Sequence, residues 1–411
     1  MRIVYVDNNA TTCVAPEVFE AMVPYLAREY FNPSSMYEPA RKVAEAVRRA
    51  RQQIARCFGN IRSNEIVFTS CATESNNTAI VGVAKANPQR RHIVTTAVEH
   101  PAVLEVCKEM QRGGYEVTFL PVDRHGNLNI KDFVRALRPD TLLVTIMHAN
   151  NETGVIFPVA ELARITKETD PGIVFHTDAT QSVGKLRIDL AGEYRHVDLL
   201  SFSGHKLHAP KGIGVLFIRK GTPIRPFMVG GHQESGRRAG TENVPYIVGL
   251  AKAMELAYQN LEEENERLAR MRNRLERELR QRIPYLEVNG EGAPRLSNTL
   301  NLSCHFIEGE AMLFELSENG ICASSGSACT SGSLEPSHVL TAMKVPFTAI
   351  HGSIRFSLSR YNSEEDIDQI IEAFPEVVER LRRASPYWDV KQNAPREEAY
   401  QMLQEAAAVH S

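Results

Sequence analysis

Four residues carry chemistry that their surroundings make usable: Lys206, Asp178, His100 and Cys329. Lys206 lies in VDLLSFSGHKLHAPKGIGVLFI, residues 197–218, between two apolar runs, 197–202 and 214–218, that read as short strands joined by a turn. Desolvating an ammonium is expensive, so a lysine held between buried segments is paired or has lost its proton. A neutral amine can form a Schiff base with a carbonyl. The ordinary alternative is a loop cation whose stem covers apolar surface, the usual fate of a lone lysine.

A carbonyl cofactor with a pyridine ring and a phosphate would need a lysine, an acid at the ring nitrogen, a phosphate cradle and a cover for the ring face. The sequence offers each. Asp178 follows the apolar segment 173–175, where a buried carboxylate needs a cationic partner such as a protonated ring nitrogen; a helix N-cap is the competing reading. Thr73, with the backbone of Ala72, opens the helical segment 74–85, and hydroxyl and amide groups at a helix N-terminus bind phosphate. Ser203 and His205 flank Lys206 and complete such a cradle. His100, before Pro101, has the shape to stack on a ring and exchange protons near neutral pH, although a lone histidine is more often structural. Cys329 sits in SSGSACTSGSLEPS, residues 324–337, where serine and glycine dominate and no apolar neighbours bury the thiol. That suits a nucleophile. Cys322, beside Ile321, reads as packing, and no histidine pattern supports a metal site for the pair.

The elements that position these residues alternate. Strands are predicted at 66–68, 92–95, 117–121, 142–147, 173–175 and 199–202, with helical spacing at 76–85, 102–111, 130–137 and 159–167. That alternation implies a mainly parallel sheet covered on both faces, whose ligands sit at the carboxyl ends of the strands. The loops there are polar: TSCATESNN, VEHPAVL, HANNETG, HTDATQSVGK and SGHKLHAPKG. Upstream, a short strand at 3–6 runs into Asp7, Asn8 and Asn9, which could be a plain turn, followed by helices at 16–29 and 38–58. The glycine-rich stretch 230–245 lacks the ending of a nucleotide P-loop, and no G-x-G-x-x-G follows the first strand. One long helix is predicted over 244–282, with Leu268, Met271, Leu275 and Leu279 as a stripe on an otherwise solvated interdomain helix. Pro284 ends it and opens a smaller unit with strands at 299–302 and 353–358 and helices at 308–319 and 364–381. The tail from Pro386 contains one helical segment and is otherwise polar.

Composition excludes several classes. With 411 residues, 43% hydrophobic, 24% charged and a formal charge of −3, the chain reads as an ordinary globular protein with no polybasic block for nucleic acid or an anionic membrane. The N-terminus lacks the apolar segment of a signal peptide, and no run approaches the roughly 18 apolar residues of a span, so a cytoplasmic location is expected. Seven cysteines (Cys13, Cys57, Cys71, Cys107, Cys304, Cys322 and Cys329) without a C-x-x-C pair fit a reducing compartment with mostly buried thiols.

Nine phrases together carry a resemblance: DNNATT, NPSS, TSCATESNN, HANNETG, DATQSVGK, SGHKLHAPKGIG, GGHQESGRRAGTEN, SSGSACTSGSLEPSHVL and IRFSLSRYN. They span residues 7–362 and resemble the cysteine desulfurases, fold-type I pyridoxal phosphate enzymes of the class V aminotransferase group, closest to the nitrogen-fixation (NifS) type. The resemblance implies an α/β fold: a large domain, 15–258, with a mainly parallel seven-stranded sheet, and a smaller α+β domain of 1–14 and 259–411. It implies that Lys206 holds pyridoxal phosphate in a Schiff base, that Asp178 pairs with the ring nitrogen, and that Gln181 and Asn151 bond the ring hydroxyl. His100 would cover the ring and act as acid or base. Ala72, Thr73, Ser203, Gly204 and His205 would bind the phosphate, joined by Thr241 from the other subunit of a homodimer. Arg355 would grip the substrate carboxylate, with Asn32 nearby. Cys329 would accept sulfur from L-cysteine, leaving alanine, and pass it to an iron-sulfur scaffold protein, where it would also be a transient iron-sulfur ligand. Ser235 departs from the pattern, since relatives often carry arginine there.

Rival readings are a housekeeping-type desulfurase, a selenocysteine lyase or transaminase of the same fold, and a non-catalytic scaffold. Cys329 argues against a transaminase, and Lys206, Asp178 and Cys329 together argue against a scaffold.

Overall fold

The computed structural model describes residues 2–325, 336–399 and 401. The chain opens with β1 (Val4–Tyr5), shorter than the strand predicted at 3–6, and continues through α1 (Pro16–Ala27) and α2 (Glu38–Cys57). Each helix has a proline in its first turn, where the missing N–H costs nothing. Val43, Val47, Ile54 and Phe58 turn inward from α2 or its end.

Strands and helices then alternate as the sequence predicts. They are β2 (Ile66–Thr69), α3 (Ala72–Ala86), β3 (His92–Thr96), α4 (Pro101–Arg112), β4 (Glu116–Leu120), α5 (Ile130–Ala136), β5 (Thr141–Thr145), α6 (Val159–Thr169), β6 (Val174–Asp178), β7 (Leu199–Ser203) and β8 (Gly214–Ile218). The seven strands of this sheet run in the order β2-β8-β7-β6-β5-β3-β4, and β8 alone points against the other six. The connection from β7 to β8 is too short for a crossover, so the pair must be antiparallel. That short connection carries Lys206.

The helix predicted over 244–282 is two helices, α7 (Val244–Gln259) and α8 (Leu261–Arg282), because Asn260 leaves helical geometry at φ −128° and ψ 37°. Asparagine competes with the helix through its own side chain, and apolar spacing on both sides hides the break. Leu268, Met271, Leu275 and Leu279 form the stripe as read, but it is buried in a second core with Val4, Val6, Leu302 and Phe356, and only the charged face of α8 opposite it is solvated. That core is built on β9 (Leu286–Val288), β10 (Thr299–Cys304), α9 (Gly309–Glu318), β11 (Ile321–Cys322) and, after α10 (His338–Ala342) and α11 (Phe347–Ile350), on β12 (Ser353–Ser357) and α12 (Glu364–Ala384), with the sheet order β12-β10-β9 and β1 paired to β11. Val339, Leu340 and Ile350 pack instead with the larger core. The tail adds an antiparallel pair, Trp388–Asp389 with Ala394–Pro395, that its polar composition concealed. Trp388 is buried against Phe306 and Tyr285, with the Arg382 guanidinium 4.5 Å over its ring.

His148 and His176, in or near the central sheet, are buried and neutral. His176 bonds Thr145 at 2.8 Å and Ser201 at 2.9 Å, and burial pulls His148 down to about 4. His176 is also pushed down by burial. A histidine whose folded pKa lies below its unfolded value near 6.5 favours the unfolded chain once it protonates. Its contribution is complete above pH ~6.5 and is lost as the pH falls toward about 4, to a limit of roughly 3 kcal/mol for His148. Urea melts should therefore show stability falling across that window, and H148Q should flatten the slope by up to about one proton, or ~1.4 kcal/mol per pH unit. An unchanged slope in H148Q would contradict this assignment.

Among the described residues, no helix is long and apolar enough to cross a membrane, and no group of three or more His, Cys, Asp or Glu is arranged to hold a metal ion.

Candidate active site

The site forms where β6 and β7 end. β7 stops at Ser203, and a single tight turn, Gly204–Lys206, brings the lysine to the rim. A side chain at Gly204 would place its Cβ 2.8 Å from Ile213 and 3.0 Å from Ala209, so only glycine leaves the turn closed. The turn is clamped from above by DNNATT: Thr12 donates to the His205 carbonyl through its N–H at 2.9 Å and its hydroxyl at 3.0 Å. Lys206 Nζ donates to the carbonyls of Asn9 at 2.6 Å and Ala10 at 2.7 Å. The plain turn that Asp7, Asn8 and Asn9 could have been is thus a buried roof, with Asn8 and Asn9 at most 3% exposed.

Asp178 closes β6, and its carboxylate has two fixed donors. Asn76 Nδ2 reaches Oδ2 at 2.7 Å, and the Thr180 N–H reaches Oδ1 at 2.9 Å. The second is a local turn rather than the start of a helix, so the N-cap alternative for Asp178 does not materialise. Asn76 was not singled out in the sequence, although an asparagine on the buried face of a helical segment asks for a partner.

His100 caps α4. Its Nδ1 accepts the Ala102 N–H at 3.1 Å, and Pro101 occupies the first helical position. That bond fixes the tautomer: the proton of the neutral ring sits on Nε2. Burial, with Lys206 and His338 nearby and Asp178 opposing them, holds the ring below its ordinary pKa. His100, Asp178 and Lys206 are therefore close enough to feel one another. Behind His100, Glu99 accepts from Met147 N–H at 2.9 Å and Thr96 at 2.8 Å, and burial pushes it up to about 8.

Of the residues expected to hold a phosphate, Ala72 and Thr73 form the first turn of α3. Ser203 pairs with Gly214, where a side chain would place its Cβ 2.6 Å from the backbone of Cys71, the residue before that helix. His205 accepts or donates at Nδ1 to Thr11 at 3.1 Å and is kept neutral by burial and neighbouring lysines, which pull it to about 4. Thr73 and Thr241 are exposed, and Asn32 spends its side-chain oxygen on the Ser34 N–H at 2.9 Å. The loop carrying Thr241 is pinned at two points. Glu234, in a left-handed conformation at φ 50°, takes Arg51 through two bonds of 2.6 and 2.7 Å, and Arg238 grips Glu74 at 2.8 Å. Ser235 is exposed and left-handed at φ 59°, and no anchoring bond of this loop depends on it.

Pyridoxal phosphate fits these residues on one direct observation. The Ser203 hydroxyl oxygen is buried without a hydrogen-bond partner, three positions before Lys206. Such a group costs about 1–3 kcal/mol, and a phosphate oxygen beside the first amides of α3 would satisfy it.

Arg355, 2% exposed, donates to the Asn151 carbonyl at 3.0 Å and to Asp7 at 2.6 Å, while its Nε is buried without a partner. A two-pronged grip on a carboxylate would require the Asp7 bond to be exchanged. Gln181 donates from Nε2 to the Asn9 carbonyl at 3.0 Å. Cys329 lies outside the described residues, but both flanks of its segment are tied into the site. Ser324 exchanges backbone bonds with Arg355 at 3.2 and 2.6 Å, the Ser325 carbonyl takes Ser353, the Ser337 hydroxyl reaches Glu152 at 2.5 Å, and His338 Nε2 meets the Glu99 carbonyl at 2.9 Å.

The aminotransferase class-V family matches residues 4–370. A cysteine desulfurase of Trichormus azollae is 55% identical over 387 residues, covering 94% of this chain and 96% of its own. The cysteine desulfurase NifS of Azotobacter vinelandii is 50% identical over 388 residues, with 94% and 96% covered. Among solved structures, a NifS-like protein superposes with a TM-score of 0.86 at 39% identity, covering 93% of this chain and 100% of that one. A structure of SspA in complex with cysteine gives a TM-score of 0.76 at 36% identity, with 87% and 99% covered.

Proposed function

The chain belongs to the class-V aminotransferase family, and on that premise we propose that it is a pyridoxal phosphate-dependent cysteine desulfurase that converts L-cysteine to L-alanine and places the sulfur on Cys329. The observation that carries this reading is the tethering of both flanks of the Cys329 segment to Arg355, Glu152 and Glu99, around the rim that holds Lys206 and Asp178. When bound, the cofactor supplies a carbonyl for the substrate amine and a sink for electrons from the substrate Cα.

Lys206 holds the cofactor and, once the substrate amine takes its place, Nζ accepts the Cα proton. Asp178, fixed by Asn76 and Thr180, keeps the ring nitrogen protonated. Ala72, Thr73, Ser203, Gly204 and His205 hold the phosphate, with Thr241 contributed by a second copy, and Gln181 and Asn151 hold the ring oxygen. His100 covers the ring and donates from Nε2, the nitrogen left protonated by its cap. Asn32 and Arg355 hold the substrate carboxylate. The Cys329 thiolate attacks the substrate sulfur, so an S–S bond forms as the C–S bond breaks and its electron pair stays with carbon. Protonation of that carbon yields alanine. The net change is L-cysteine plus the Cys329 thiol giving L-alanine plus the Cys329 persulfide.

The dimer is supported by an exposed apolar set, Phe19, Leu26, Tyr30 and Met36, each more than 50% exposed in the single chain. We divide the chain into a large unit, 15–258, and a small one, 1–14 with 259–411, on the two main cores, with Val339, Leu340 and Ile350 of the small unit packing on the larger core. The relatives named NifS support an iron-sulfur scaffold protein of the nitrogenase type as the sulfur acceptor. Incubation with L-cysteine without reductant should give one alanine and one Cys329 persulfide per active site; pyruvate or no product would overturn the reading.

Arg355→Lys is expected to raise KM for L-cysteine by roughly 10-fold or more, because a charge-assisted bond contributes about 1.5–3 kcal/mol and lysine cannot reproduce the guanidinium fork. The visible spectrum of the bound cofactor should not change. A KM equal to that of the parent protein would remove Arg355 from substrate binding.

A further inference from the structure

Lys185 ends the DATQSVGK motif and has no part in the scheme above. Its Nζ donates to the Gln181 carbonyl at 3.0 Å and to the Gln181 side-chain oxygen at 3.4 Å. Gln181 in turn donates from Nε2 to the Asn9 carbonyl at 3.0 Å, the same oxygen that receives Lys206 Nζ at 2.6 Å. A continuous path of bonds thus runs from Lys185 through Gln181 and Asn9 to Lys206. The chemistry of the partners leaves one orientation for the amide. A backbone carbonyl can only accept, so the NH2 of Gln181 must face Asn9, which leaves its oxygen to accept from Lys185.

The position is electrostatically costly. Lys185 and Lys206 line one cavity of about 40 Å3 together with Glu264 and Arg360. The charged groups facing Lys185 are Lys206 from the turn after β7, Arg355 from β12 and Glu264 from α8, and Glu264 is bonded to Arg360 at 3.0 Å. Burial and the two cations pull the Lys185 ammonium down to about 7. An amine kept there at such cost is a functional candidate.

We propose that Lys185 is a positioning residue for the reaction. It locks the Gln181 amide so that one N–H holds the Asn9 carbonyl and the other is left for the ring oxygen of the cofactor, and it thereby sets the carbonyl against which Lys206 rests. The proposal rests on the reading that Gln181 and Lys206 face the cofactor.

Lys185→Met keeps the stem and removes the ammonium, Lys185→Arg keeps a donor cation, and Gln181→Leu removes the group that is locked. In the holoprotein, the pH midpoint of the cofactor's visible band should rise by roughly 0.5–1 unit in K185M, since a cation is lost and the ring oxygen loses its fixed donor. It should return toward the parent value in K185R. Q181L should move it the same way, and the double variant K185M/Q181L should add nothing further. In the cofactor-free protein, the pH midpoint for acetylation of Lys206 by acetic anhydride, read by mass spectrometry, should also rise in K185M. If K185M does not fold, Lys185→Ala serves in its place. Parent and K185M midpoints that coincide, or K185M and Q181L shifts that add, would overturn the proposal while leaving the site reading intact. A parent protein with no titrating band at all would instead sink the site reading, and the proposal with it.

Discussion

Lys206→Ala should purify without the covalently held cofactor and lose at least ~1000-fold in kcat/KM for L-cysteine, equivalent to about 4 kcal/mol of transition-state stabilisation. The size of the loss follows from position. Lys206 is presented at the rim by a turn that tolerates no side chain at Gly204, and its Nζ is held by two carbonyls at 2.6 and 2.7 Å, so its amine is fixed in place. Removing it also leaves the Asn9 and Ala10 carbonyls without that donor, a loss of about 1–3 kcal/mol that urea melts would register. Lys206→Arg separates the two consequences. It restores a cation near those carbonyls and should recover much of the stability, yet it should stay as inactive as the alanine variant, because a guanidinium is not a nucleophilic amine. Activity in K206R within 10-fold of the parent would show that Lys206 acts through charge alone.

Cys329→Ala should behave in the opposite sense. The protein should remain coloured and its spectrum should still respond to L-cysteine, while alanine formation falls by ~100-fold or more, since sulfur has no acceptor. Three of the other six cysteines are poor substitutes for it. Burial pushes the thiols of Cys107 and Cys304 up to about 12 and that of Cys57 to about 11, so none of these is a ready thiolate near neutral pH. Alanine and sulfide production at the parent rate in C329A would transfer the acceptor role to another thiol or to solvent.

Lys206, Asp178 and His100 were legible because each follows a predicted strand of a parallel sheet, where the architecture itself brings loops together. The strands of the seven-stranded sheet were found within one to three residues for the same reason: buried strands read as apolar runs, and β5 to β8 are buried throughout. Asn9 was not legible as the hub of the site, because the group that binds both Lys206 and Gln181 is its backbone carbonyl, which no side-chain pattern announces. Asp7 was invisible as the partner of Arg355 because the two are brought together only when Asp7 bridges to β12 across the whole chain. The break at Asn260 escaped because apolar spacing continues on both sides of a single residue that leaves the helix. The buried Trp388 escaped because its cage comes from Phe306 and Tyr285, far away in sequence.

Treating the purified holoprotein with borohydride and mapping its peptides by mass spectrometry tests the central claim most directly. The reduced cofactor should be fixed to the peptide containing Lys206 and to no other. Fixation at Lys185, whose buried amine is the obvious rival, or no covalent fixation at all, would contradict it.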